Sequence, residues 1–169
     1  MTPVATPFFF YFLSALAIIS GVLVITRRNA VHSALALIVT LLSVAGLYLM
    51  LYAPFVAGVQ IIVYAGGIMV LFLFVIMLVN LERTVKEHQF NRIWPAGVLA
   101  AAALLGLFVS VYVKGRALFP EGDIPLPEAS NTQQIAVMLY GNYMFAFEIA
   151  SLLLLVAILG AVIMAKKRI

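Results

Sequence analysis

From Asn29 to Leu81 the chain runs for 53 residues without one Asp, Glu, Lys or Arg. As a single helix that run would extend about 80 Å at roughly 1.5 Å per residue, against a bilayer hydrocarbon core of about 30 Å. It must therefore cross a membrane twice and fold back once. Pro54, with Tyr52 and Phe55 on either side, is the natural place for the turn, because proline removes a backbone donor and disfavours helix at the residue before it. The reading is one span near Ala30 to Leu51 and the next near Val56 to Leu78.

The flanking sequence supplies three more spans. Met1 to Thr26 carries no charged side chain and ends in Arg27 and Arg28. A signal peptide has its positive residues before the apolar stretch, so a retained first span of about Val4 to Ile25 is expected. The charged segment Leu81 to Arg92 gives way to an apolar run, Ile93 to Val113, with Trp94 and Tyr112 near its two ends as interface markers. The stretch after it contains Pro120, Pro125 and Pro127 with Glu121, Asp123 and Glu128, which is too polar to cross a bilayer. It opens a Pro-rich loop of about 114–140 that is expected to face outward. Within it Asn131 is expected to cap a short helix that reaches Leu139 and ends at Gly141. A fifth span runs from Tyr143 to Ala165 and is closed by Lys166, Lys167 and Arg168. The fold class is thus an all-α integral membrane protein, one transmembrane domain of five helices across residues 1–169, with no internal repeat.

Composition agrees and excludes several classes. Of the 169 residues, 66% are hydrophobic and 9% charged, whereas soluble domains use roughly 45–50% apolar and 25% charged residues. There is no cysteine, so disulfides, iron–sulfur clusters and thiolate zinc sites lack their ligands and any redox centre is expected in another chain. His32, at the edge of an apolar run, and His88, inside the charged segment, are poor partners for a haem. A net charge of +4 does not point to nucleic acid, because the basic residues are divided among short loops.

Those residues instead set topology. With five spans, Arg27, Arg28, Arg83, Lys86, Arg92, Lys166, Lys167 and Arg168 share one side, and Lys114 and Arg116 the other. Basic loops are retained on the cytoplasmic side, which predicts an N-terminus outside and a C-terminus inside.

The spans hold almost nothing ionisable. Glu148 is the exception, and it falls in the outer part of the fifth span. An interfacial carboxylate and a proton-relay group are both open readings of it. Tyr11, Tyr48, Tyr52 and Tyr143 read as interface anchors. In the third span, Gln60 and Tyr64 are four residues apart, and Gly66 and Gly67 interrupt a sequence crowded with β-branched and aromatic side chains. Paired glycines of this kind serve either a close helix crossing or a bend or π-bulge.

The run VQIIVYAGGIMVLFLFVIMLVNL, preceded by RRNAVHSALALI and followed by LYGNYMFAFEIASLLLL, resembles subunit J of the proton-pumping NADH:quinone oxidoreductase, respiratory complex I. The resemblance covers essentially the whole chain and is most specific from Tyr64 to Val75. It implies a membrane-arm subunit without cofactors of its own, packed against other membrane-arm subunits in the bacterial inner (cytoplasmic) membrane. NAD, FMN, iron–sulfur clusters and quinone would belong to partner subunits, and the chain alone would have no activity. It also implies a π-bulge at Tyr64 to Gly67, whose loss would rotate the third helix, exchange Val70 or Phe72 for a polar lining and open a proton path. The proton-path or gating candidates are accordingly Tyr64, Gly66, Gly67, Val70, Phe72 and Glu148. Some relatives carry a carboxylate in place of Gln60. A purely structural assembly subunit shares every feature except a need for Tyr64 and the glycines. A stand-alone channel or transporter would be expected to show intramembrane charge or duplicated halves, and shows neither.

Overall fold

The fold was analysed in a computed structural model, which describes residues 7–79, 94–115 and 130–166. Six helices follow in chain order: α1 (Pro7–Thr26), α2 (Ala30–Met50), α3 (Pro54–Leu78), α4 (Trp94–Gly115), α5 (Asn131–Tyr140) and α6 (Met144–Ala165). There is no strand among the described residues. All but α5 are long and apolar enough to cross a membrane, so the five expected spans are present; the expected starts at Val4 and Ile93 lie outside the described residues, and the other ends fall within two residues of their expected positions. The charged segment 82–92 and the prolines of the loop lie outside the described residues.

The second reversal differs in detail from the expectation that Pro54 makes the turn. The chain reverses over Leu51 to Ala53, and Pro54 is the first residue of α3, where a missing N–H costs nothing because first-turn donors have no helical acceptor. Tyr52 takes the left-handed conformation, with φ of 56°. The Ala53 N–H donates to the Tyr48 carbonyl at 3.0 Å and the Tyr52 N–H to the Leu49 carbonyl at 3.2 Å. This is a Schellman close to α2, built on a tyrosine where glycine is usual. At the other end of α2, the Asn29 side chain accepts from the Val31 N–H at 2.9 Å. The Ser33 hydroxyl donates to the Val24 carbonyl, tying the first turn of α2 to the last turns of α1.

Helix α2 is central, with α1 packed along it and α3 packed against it after the reversal. Small side chains fill the contacts: Ser20 of α1, Ala34, Ser43 and Ala45 of α2, and Ala57 and Ala65 of α3 are buried, and Met69 is the one large buried side chain among the described residues. Close backbone approach of this kind replaces the hydrophobic effect where lipid is as apolar as the side chains. Gly46 shows how close: a Cβ there would lie 2.9 Å from Leu13 Cδ1. At the same crossing the Thr40 hydroxyl stands 2.8 Å from the Ser20 hydroxyl, which itself donates to the Leu16 carbonyl at 2.6 Å.

The remaining helices are arranged differently. Among the described residues α5 packs against α3 and against α6, and α6 packs against α5 alone. No Cα of α4 comes within 8 Å of another described helix, and neither α4 nor α6 has a buried residue.

Candidate functional site

Helix α3 changes winding in its middle. It begins as an α-helix over Pro54–Val59, becomes π-helical over Gln60–Ile68 and returns to α over Met69–Leu78. The return is marked by the Met69 N–H, which donates to the Tyr64 carbonyl, five residues back instead of four. The π segment contains Tyr64, Ala65, Gly66 and Gly67.

The altered winding has a packing consequence. Eight residues of ordinary α-helix overshoot two full turns by about 80°, so Ala57 and Ala65 would point to different sides of a regular helix. With the wider π turns between them both are buried, at 1% and 7% exposure, and Met69, four residues on, is buried at 5%. The three buried residues of the third span thus share one stripe against α2.

The two glycines play unequal parts. A Cβ at Gly66 would sit 3.2 Å from the Ile61 carbonyl oxygen, the backbone acceptor five residues back that the π turn swings beneath it. A Cβ at Gly67 would sit 3.8 Å from the Ile62 carbonyl oxygen, ordinary van der Waals contact. Glycine at 66 therefore relieves a contact that the π geometry creates, and the same cannot be said of 67.

The other candidates are dispersed. Tyr64, Gly66, Gly67, Val70 and Phe72 are all exposed. Gln60 is half-buried while Tyr64 is 48% exposed, so the four-residue spacing does not put the two in equivalent surroundings. Glu148 lies in the second turn of α6, exposed, about 6 Å along the helix from its first residue. The backbone carbonyl of Glu148 accepts from the Ser151 hydroxyl at 2.7 Å. Among the described residues no three His, Cys, Asp or Glu side chains group as metal ligands would.

Asn131 departs from the expectation that it caps its own helix. The cap position of α5 is Ser130, whose side chain makes no capping bond. The Asn131 Oδ1 instead accepts from the Phe55 N–H at the start of α3, at 3.4 Å. Sequence reasoning missed this pairing because the partners are 76 residues apart and a cap is ordinarily sought within three residues of its helix.

Over residues 20–164 the chain matches the family described as NADH-ubiquinone/plastoquinone oxidoreductase chain 6. It is 38% identical to NADH-quinone oxidoreductase subunit J of Rhodobacter capsulatus over 161 residues, which cover 93% of this chain and 80% of the relative. Identity to subunit J of Pseudomonas aeruginosa is 36% over 154 residues, covering 91% and 93%. Identity to NADH-ubiquinone oxidoreductase chain 6 of Chondrus crispus is 38% over 165 residues, covering 93% and 81%.

Proposed function

The chain belongs to the NADH-ubiquinone/plastoquinone oxidoreductase chain 6 family, and from that premise we propose that it is a membrane-arm subunit of an NADH:quinone oxidoreductase that helps couple quinone reduction to proton translocation. The observation that carries the proposal is the π-helical stretch Gln60–Ile68 inside an otherwise α-helical span. A π turn is a stored residue of winding. If it is released, the helix after it turns by about 100°, one residue's worth.

That rotation has named consequences. Ile68 would take the place of Met69 against α2, and Phe72 the place of the half-buried Leu73, while Val70 would swing to the far side. The span has few side chains that could bind a proton, so its contribution is mechanical: it exchanges bulky groups on a path whose ionisable groups lie mostly in neighbouring subunits. Glu148 is the one carboxylate within a span of this chain, and in this reading it contributes to that path from α6. Electron transfer, with NAD, FMN, iron–sulfur clusters and quinone, takes place in partner subunits, since this chain has no cysteine to ligate a cluster. The bacterial inner membrane is the location, with the N-terminus outside.

A structural role in assembly is the second reading, and a specific observation favours it: among the described residues neither α4 nor α6 has a buried residue, α4 packs against no other helix and α6 packs against α5 alone. Both roles require a large complex. Mild detergent extraction of the tagged chain should copurify a multi-subunit NADH-oxidising quinone reductase, and a homo-oligomer alone would contradict both. Glu148 has a test of its own. If Glu148→Gln leaves assembly and NADH oxidation intact, the coupling role expects reduced proton pumping, because the amide keeps the shape and cannot ionise; full pumping removes Glu148 from the path.

A further inference from the structure

The π segment stores a rotation, and either half of α3 could take it up. Several observations bear on which half is held. Pro54 and Phe55 open α3 at the reversal from α2, and the residue in the cap position, Ala53, has no side-chain acceptor to offer. The first-turn N–H groups of such a helix need acceptors from elsewhere. Asn131, the first residue of α5, supplies one by accepting from the Phe55 N–H at 3.4 Å. Helix α5 packs against this same first segment of α3 and no other part of it. Two residues on, Ala57 is buried against its neighbours at 1% exposure. Beyond the π segment the situation reverses. Met69 is buried, but from Val70 to Val79 no residue is, and only Leu73 and Ile76 are half-buried.

We infer that Asn131 is a positioning residue, a cap supplied across the chain that fixes the N-terminal end of α3, so that release of the π turn rotates the Met69–Leu78 half and leaves Pro54–Val59 in place. This deepens the coupling role proposed above and rests on it for its functional part. The anchoring part stands on the Asn131 contact alone. A side effect is that α5, and through it α6 with Glu148, keeps a fixed relation to the still end of the helix and not to the turning one.

Hydrogen exchange on the assembled complex in lipid nanodiscs tests the anchor. In the unmodified complex the Phe55 amide should be protected well beyond an unbonded first-turn amide. Asn131→Leu, which keeps the branching at Cγ and removes the acceptor, should raise exchange in Pro54–Val59 roughly fivefold, as loss of a helix cap does, while Asn131→Asp keeps the acceptor and restores protection. The Leu variant should also lower the number of protons moved per electron, with rescue by Asp. An unprotected Phe55 amide in the unmodified complex overturns the anchor whether or not any variant assembles, and so does unchanged exchange in Asn131→Leu. If Asn131→Leu loosens the segment and pumping stays at the unmodified level in both it and Gly66→Ala, the anchor stands and the rotation falls. If Gly66→Ala alone loses pumping, the rotation stands and Asn131 is not its positioning residue.

Discussion

Tyr52 occupies a conformation that costs an L-residue about 1–2 kcal/mol and glycine almost nothing. Its side chain is half exposed at the α2–α3 reversal, so little packing is lost on truncation. Tyr52→Gly should therefore be neutral or stabilising by up to about 1 kcal/mol, and Tyr52→Val, whose branched Cβ resists a positive φ, destabilising by about 1–2 kcal/mol. Thermal denaturation of the detergent-extracted subunit would check both; a clear loss in Tyr52→Gly would mean that the ring anchors the reversal by contacts worth more than the backbone strain. The sequence offers a tyrosine here as an interface anchor, which describes its ring and not its backbone. Nothing local announces a positive φ at a residue other than Gly, Asn or Asp. Gly66 and Gly67 illustrate the same limit: they are adjacent and identical by type, and they separate only when the position of the Ile61 carbonyl is known.

At the scale of elements, the spans were legible because length, hydropathy and charge placement each impose the same boundaries. The Schellman close and the proline at the start of α3 moved those boundaries by only a few residues. The π segment was not legible from periodicity, since an apolar helix shows the same kind of residue on every side; the paired glycines left it as one of two readings, and only the resemblance chose between them. Nor could hydrophobic pattern reveal the crossing of α1 and α2, where Ser20 and Thr40 meet. Polar contacts between membrane helices are worth about 0.6 kcal/mol on average and up to about 1.7 kcal/mol. In a double-mutant cycle of Ser20→Ala with Thr40→Val, a coupling of that size is expected, measured by denaturation in mixed micelles. Zero coupling would show that Thr40 is satisfied by the Ala36 carbonyl, 3.0 Å away on its own helix, and that small-residue packing alone holds the pair.

On the scale of the whole molecule, α1, α2 and α3 pack together, while among the described residues α6 meets only α5 and α4 meets no other helix, an arrangement that suits a subunit whose surfaces are completed by other chains. Orientation is the property that most needs an independent check, because it follows from the distribution of Lys and Arg alone. A cysteine at position 122 should react with an impermeant thiol reagent from outside the cell, and one at position 86 should not; the reverse pattern would overturn the orientation, and labelling of both from one side would overturn the number of spans.

If the π segment of α3 takes part in coupling, the ratio of protons pumped to electrons transferred should distinguish two single-methyl variants. Gly66→Ala presses a Cβ on the Ile61 carbonyl in the π form and meets no such contact in a regular α-helix, so it should disfavour the π form by about 1 kcal/mol, a factor of about five. Gly67→Ala carries the same added methyl without that contact. Both complexes should assemble and oxidise NADH. The proton-to-electron ratio should fall in Gly66→Ala and stay unchanged in Gly67→Ala; equal, undiminished ratios in the two variants would show that the π segment has no part in coupling.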